Sequence, residues 1–151
     1  MKVLAEFRVL GVPRVKKNTQ RAILAVNRRT GKTYPKIVQT AAYKAWKKSA
    51  LPQINRQKPR ETIYIPINLQ CRFFMDTNSL VDLSALYDGI QDELVACGVL
   101  SDDNYAVVAS HDGSGVWVDK TNPRMEIVIT PKSEAIELPA PKPHEEDEEP
   151  F

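Results

Sequence analysis

The chain has 151 residues, of which 42% are apolar and 26% are charged, as in a single globular domain. This composition excludes a wholly disordered or collagen-like chain, and no apolar run approaches the roughly 18 residues that a membrane-spanning helix requires. Glu6 and Arg8 interrupt the first ten residues, which argues against a signal peptide. We therefore expect a cytoplasmic protein that has no membrane partner.

The net charge of +2 conceals two halves of opposite sign. Residues 1–60 contain 16 Lys and Arg and a single acid, Glu6, whereas residues 61–130 contain 3 basic and 11 acidic residues. A basic half favours a polyanionic partner such as nucleic acid, and a half rich in carboxylates favours a site that uses clustered acids. Chance segregation of solvated surface charges is the alternative explanation.

Three strands are predicted in the first third of the chain. Alternating apolar residues over 3–9 predict the first strand, and the apolar run 22–26 predicts the second. Residues 27–32 form a predicted polar turn in which Gly31 supplies a positive φ, and the chain then returns through Tyr34. This turn directs three cations outward.

A helix and a long strand follow. Helical spacing over residues 39–51 predicts a helix that Pro52 ends, and residues 53–60 are predicted to be a polar connector. Apolar residues at every odd position predict a strand over 62–75. Pro66 lacks a donor for the strand ladder, which favours a sheet edge or a bulge.

A second amphipathic helix is predicted from the apolar spacing between Leu83 and Leu94, with Asn78 or Ser79 as its cap and Gly98 at its end. Within this helix, Asp92 and Glu93 are interpreted as ordinary surface acids.

Strands are then predicted at 105–109 and 125–130. The order β-β-β-α-β-α-β-β indicates one α+β domain over residues 1–130, with two main helices and a mixed, mostly antiparallel sheet. Residues 131–151 are rich in Pro and Glu and are predicted to form a disordered acidic tail.

Carboxylates occur where segments of this predicted fold meet. Asp76 ends the long strand, Asp82 and Asp88 belong to the second helix, and Asp102 and Asp103 precede the next strand. Mg²⁺ prefers oxygen ligands, so convergence of these side chains at one edge of the sheet predicts a metal site. The alternative is that they cap a helix and fill a turn.

The region 82–94 (DLSALYDGIQDEL), followed by 98–103 (GVLSDD), resembles the core signature of the RusA-type Holliday junction resolvases. The segments 12–18 (VPRVKKN) and 30–32 (TGK), ahead of the helix that contains Tyr43, resemble the amino-terminal half of RusA-like phage proteins. The resemblance covers nearly all of the chain that is predicted to be ordered.

This resemblance implies a homodimeric, Mg²⁺-dependent endodeoxyribonuclease that cuts four-way DNA junctions in recombination and repair, in a phage or its bacterial host. Mn²⁺ is an alternative ion. By position, Asp82 and Asp103 match the family's metal-binding carboxylates, and Asp102 lies beside the second of them. Asp82 and Asp103 are therefore candidate catalytic residues, and Asp102 is a candidate metal ligand with them.

The sequence departs from the family pattern where the family has a second Asp, an Asn and a functional Lys. Those positions hold Ser84, Ala85 and Asp88. Asp88 removes a cation that would steady the phosphate and adds a carboxylate that could join the metal ligands, so Asp88 is a further candidate catalytic and metal-binding residue.

Phosphate contacts are predicted for residues of the basic half: Lys16, Lys17, Asn18, Arg28, Arg29, Lys32, Lys44, Lys47 and Lys48. Two other functions remain open. The first is a junction-binding protein of the same fold that does not cleave DNA. The second is a module that binds single-stranded nucleic acid, with Tyr34, Tyr43 or Trp46 stacking on bases.

Overall fold

A computed structural model describes residues 2–16, 20–39 and 41–132 of the chain. They form an α+β domain whose elements are, in chain order, β1 (Ala5–Leu10), β2 (Gln20–Val26), β3 (Thr33–Gln39), α1 (Ala41–Gln57), β4 (Ile67–Met75), α2 (Leu83–Ala96), β5 (Val108–Ser110), β6 (Gly115–Val118) and β7 (Arg124–Pro131). No helix in this part of the chain has the length and apolar character needed to cross a membrane. The predicted tail lies outside the described residues from position 133 onward.

Five of the strands form one mixed sheet. β7 lies between β1 and β4 and is antiparallel to both. β5 and β6 pair with the other edge of β4, one after the other, and both run parallel to it. β2 and β3 form a separate antiparallel sheet of two strands. The predicted mixed, mostly antiparallel sheet is thus confirmed.

One face of the large sheet is apolar because alternate residues of neighbouring strands meet across it. Phe7 pairs with Ile127, which pairs in turn with Cys71 of β4. Both helices cover this face and form one core with it, in which the residues contributed by α1 are Tyr43, Trp46, Ala50 and Ile54, and those of α2 include Leu86, Tyr87, Ile90 and Leu94. We call this the covered face.

The strand residues that alternate with these buried apolar residues point to the opposite face of the sheet, which we call the open face. It includes Glu6 and Arg8 of β1, Arg72 and Phe74 of β4, and Glu126 of β7, all of them exposed or half-buried. The same strands therefore present an apolar surface to the helices and a mixed charged and aromatic surface to solvent.

α1 continues through Pro52 to Gln57, so the prediction that Pro52 ends it, with a connector over 53–60, is wrong. Ala50 and Ile54 are fully buried on either side of the proline. Their packing offsets the backbone hydrogen bond that a proline removes from a helix. Burial on a tertiary partner is information that local propensity does not contain.

The extended part of α1 also protects the outer edge of the sheet. The Gln53 amide accepts from the backbone N–H of Leu10 and donates to its carbonyl, and Gln57 does the same with Arg8. These bonds satisfy backbone groups of β1 that no strand pairs within the described part of the chain.

β4 begins at Ile67, directly after Pro66, rather than at the start of the predicted strand over 62–75. It is a central strand, paired on both sides, so the prediction of an edge position is wrong. Pro66 is compatible with this because it lies before the ladder. The register between β4 and β5 shifts between Ile67 and Asn68, in agreement with the alternative of a bulge.

α2 begins at Leu83 with Asp82 as its N-cap, so the prediction of Asn78 or Ser79 as the cap is wrong. Gly98 follows the C-cap with a φ of 76°, which confirms the predicted end of the helix.

β5 is shorter than the strand predicted at 105–109, and β6 is an additional strand of four residues that the sequence did not predict.

Candidate acidic site and nucleic-acid interface

Asp82 is fixed by its role at the start of α2. Its Oδ1 atom accepts hydrogen bonds from the Ser84 backbone N–H at 3.1 Å and from the Ser84 hydroxyl at 2.8 Å. This is the capping geometry that the sequence offered as the alternative to metal binding. The Oδ2 atom has no hydrogen-bond partner among the described residues, so one carboxylate oxygen remains available to a ligand.

A cleft of about 340 Å³ lies beside this cap. Asp76, at the end of β4, and Asp82 both line it, and Arg14 of the β1–β2 connection lines the same cleft. The cleft lies at the N-terminal end of α2, where the partial positive charge of the helix dipole favours anions. Two acidic residues from different segments and one arginine thus line the same opening.

Asp103 belongs to a second acidic group. Its backbone N–H donates to Asp102 Oδ1 at 2.7 Å. Partial desolvation raises the pKa of the Asp103 carboxyl, and a side-chain hydrogen bond with Asp102 and the negative charges of Asp92 and Asp102 raise it further. Asp92 also accepts from Lys16 Nζ at 2.9 Å. The second group therefore contains three acids and a lysine.

The two acidic groups lie at different levels of α2. Asp82 and Asp92 are ten residues apart, which corresponds to about 15 Å along a helix axis. The charges that act on Asp103 come from Asp92 and Asp102. The described residues contain no set of three or more His, Cys, Asp or Glu side chains arranged to hold a metal ion. The predicted pairing of Asp82 with Asp103 around one ion therefore stays a prediction.

The three positions that depart from the family pattern differ in environment. Asp88 and Ser84 are exposed on α2, whereas Ala85 is buried in the core side of the helix. No ion pair of Asp88 occurs among the described residues. Its carboxylate is therefore free of an internal partner in that part of the chain.

Glu93 is buried, so its interpretation as a surface acid is wrong. It is 2% exposed and accepts from the Tyr43 hydroxyl at 2.8 Å, while Lys47 Nζ lies 3.7 Å from the same oxygen. Burial and Glu93 together raise the pKa of the Tyr43 phenol. The spacing of Glu93 from Leu86 and Ile90, which places it on the apolar stripe of α2, is the signal that could have revealed its burial.

The predicted DNA contacts divide into exposed and internally paired cations. Arg28, Arg29 and Lys32 are exposed in the turn between β2 and β3, and Lys44 and Lys48 are exposed on α1. The turn is closed by backbone hydrogen bonds between Asn27 and Lys32 and between Gly31 and Asn27. These five cations are thus presented to solvent by two separate elements.

The other predicted contacts are less available. Lys16 pairs with Asp92, and Lys47 lies beside buried Glu93. Lys17 and Asn18 lie outside the described residues.

Of the aromatic residues considered for base stacking, Tyr43 is fully buried and Trp46 is 6% exposed, so neither can stack on a base in this structure. Tyr34 is exposed on β3. Trp117, which the sequence did not single out, is 45% exposed on β6 and stacks on Phe74. It follows a glycine by two residues, a spacing that places both on one face of a strand.

No protein-family model and no curated protein matches this sequence.

Proposed function

We propose that this protein is a Mg²⁺-dependent endodeoxyribonuclease that binds branched DNA, such as four-way junctions, as a homodimer and acts in recombination and repair. The observation that carries the proposal is the cleft at the start of α2, which Asp76, Asp82 and Arg14 all line. Asp82 is also a metal-binding position implied by the resemblance to the RusA-type resolvases. Cutting a four-way junction symmetrically requires two such sites, hence the proposed dimer.

The donor set of the cleft fits Mg²⁺. Proteins usually hold this ion with one or two carboxylates, while water and substrate phosphates complete the octahedron. Asp76 and Asp82 supply two carboxylates, and Oδ2 of Asp82 is not used by the cap. A bound ion would polarise the phosphodiester and lower the pKa of the attacking water. Arg14 and the helix dipole favour the phosphate in the same opening.

The cations of the β2–β3 turn and of α1 supply the complementary surface for DNA. Arg28, Arg29, Lys32, Lys44 and Lys48 have no acidic partner among the described residues. Contacts of this kind neutralise phosphates without reading bases, so they suit a substrate that is recognised by its branched shape.

The second candidate is a protein of the same fold that binds junctions but does not cleave them. Two observations favour it. Ser84 occupies a family carboxylate position and donates to Asp82, and Asp88 replaces a lysine. Both changes remove a group that the resemblance assigns to the chemistry.

One assay separates the two candidates. The purified protein is incubated with a labelled four-way junction, with linear duplex and with single strand, in Mg²⁺ or in chelator, and binding and cutting are measured separately. Cutting of the junction that requires Mg²⁺ supports the nuclease. Junction binding without cutting in Mg²⁺ or Mn²⁺ supports the second candidate, and equal affinity for all three DNAs contradicts both.

Single substitutions then locate the site. Asp82→Asn and Asp76→Asn should each lower the cutting rate by at least about 100-fold, because a positioned metal supplies several kcal/mol of transition-state stabilisation. Glu61→Gln, an exposed acid away from the cleft, is the matched control and should change nothing. Asp103→Asn decides whether the second acidic group contributes to cutting. Light scattering should give twice the mass of one chain.

A further inference from the structure

Three side chains form a continuous row across the open face. In the sheet register, Phe74 of β4 pairs with Trp117 of β6 on one side and with Arg124 of β7 on the other. The Trp117 and Phe74 rings stack with their centroids 5.7 Å apart and their planes 25° apart, and the Arg124 guanidinium lies 3.9 Å from the Phe74 centroid. The indole thus belongs to a preassembled stack.

Gly115 explains how the indole can lie against the sheet. A Cβ atom at this position would lie only 2.9 Å from the six-membered ring of Trp117, so a side chain there would displace the indole. The ring is therefore laid over the β6 backbone, and 45% of Trp117 remains exposed. This arrangement leaves an aromatic surface accessible to solvent on β6.

Two exposed cations without side-chain partners in the described part of the chain lie on a strand of this surface or shortly after one. Arg72 is the residue of β4 that pairs with Gly115 in the register, and Lys120 follows β6 by two residues. Both are exposed, and neither side chain makes an ion pair or hydrogen bond within the described part of the chain. Arg124, by contrast, is held by Asp119 and Glu126 at 2.8 and 2.9 Å.

We propose that this surface binds an unpaired nucleobase of DNA, which stacks on Trp117 while Arg72 and Lys120 contact the flanking phosphates. The combination of an aromatic ring with nearby cations is the usual chemistry of single-strand recognition. The proposal rests on the proposed function, because a branch point interrupts the stacking of the duplex and is where a base can leave its pair. It assigns their recognition to Trp117 on the open face rather than to the carboxylates of the cleft at the start of α2.

Tryptophan fluorescence tests the stacking directly. The chain has two tryptophans, and Trp46→Phe leaves Trp117 as the single reporter. Addition of an eight-nucleotide oligothymidylate in chelator should quench this fluorescence, whereas a blunt duplex should not. In the wild-type background, Trp117→Ala should weaken binding of the labelled oligonucleotide by about 5- to 150-fold, as expected for loss of one stacked base.

Two further variants separate stacking from a general loss of structure. Trp117→Phe keeps an aromatic ring and should retain most of the affinity, and Gly115→Ala should tilt the indole and reduce the quenching. Tyr105→Ala removes a more exposed aromatic ring elsewhere and should have no effect on the oligonucleotide affinity. Circular dichroism and thermal melting confirm that each variant is folded.

The outcomes are distinguishable from those of the nuclease assay. Unquenched Trp117 fluorescence, with wild-type oligonucleotide affinity in Trp117→Ala, overturns this proposal even if the junction is cut. Quenching by the oligonucleotide without any preference for junctions supports it and contradicts the proposed function. If Trp117→Ala instead converts a dimer into a monomer and the fluorescence responds to protein concentration rather than to DNA, the surface joins two copies and the proposal is wrong.

Discussion

Phe73 and Phe74 are neighbours in β4, yet they belong to different parts of the molecule. Phe73 is fully buried on the covered face and packs edge-on against Tyr87 of α2, with centroids 5.6 Å apart. Phe74 points to the open face, between Trp117 and Arg124. The alternation of a strand thus assigns one ring to folding and the next to a solvent-facing surface.

The sharpest test of this difference is to truncate each ring separately. Phe73→Ala should lower the free energy of unfolding by about 3–5 kcal/mol, because it leaves a cavity in the core. Phe74→Ala should cost about 1–2 kcal/mol, since its ring is already partly solvated. Urea denaturation followed by circular dichroism measures both values, and equal losses would contradict the assignment of the two faces.

The covered face was the part of the fold most accessible from sequence. The alternation at Ile67, Leu69, Cys71 and Phe73 predicted the buried side of β4, and all four are fully buried. The continuation of α1 past Pro52 was not predictable from local signals, because it depends on contacts with β1. β6 was missed because it has only four residues, three of them exposed, and lacks the alternation that marks a buried strand.

The candidate site was less accessible for a related reason. The sequence identified Asp82 and Asp103, but whether their side chains can share one ion depends on where each lies along α2, which tertiary packing decides. Glu93 and Trp117 were missed in opposite ways. Glu93 was assumed to be exposed because it is an acid. For Trp117, nothing in the sequence indicated that Gly115 would allow its ring to lie against the sheet and remain exposed.

Tyr43→Phe tests the polar contact within the covered face. Removal of the hydroxyl leaves the buried Glu93 carboxylate without its 2.8 Å donor, and its other oxygen already lacks a partner among the described residues. We expect a loss of about 1–3 kcal/mol in the free energy of unfolding, as for an unsatisfied buried group. Tyr64→Phe, at a hydroxyl on an exposed ring, is the control and should have no effect. Matching losses in the two variants would show that the Tyr43 contact contributes nothing.

The ion pairs of the open face should make stability depend on pH in the acidic range. Hydrogen bonds with Arg124 lower the pKa values of both Asp119 and Glu126 below their ordinary values. A carboxyl whose pKa is lowered by folding stabilises the protein above its unfolded pKa, and that stabilisation is lost as the pH falls through the folded value. Stability should therefore decline as the pH falls below about 4.5.

Arg124→Met isolates this effect, the smallest of the three. It removes the guanidinium that both carboxylates share while keeping an unbranched side chain over Phe74. We expect the decline in unfolding free energy between about pH 5 and pH 3 to be shallower than in the wild type. Lys120→Met removes a nearby cation in the chain that has no ion-pair partner among the described residues, and it should leave the pH slope unchanged. Identical slopes for Arg124→Met and the wild type would mean that these ion pairs are too well solvated to stabilise the fold, and that Arg124 serves only to hold the aromatic row.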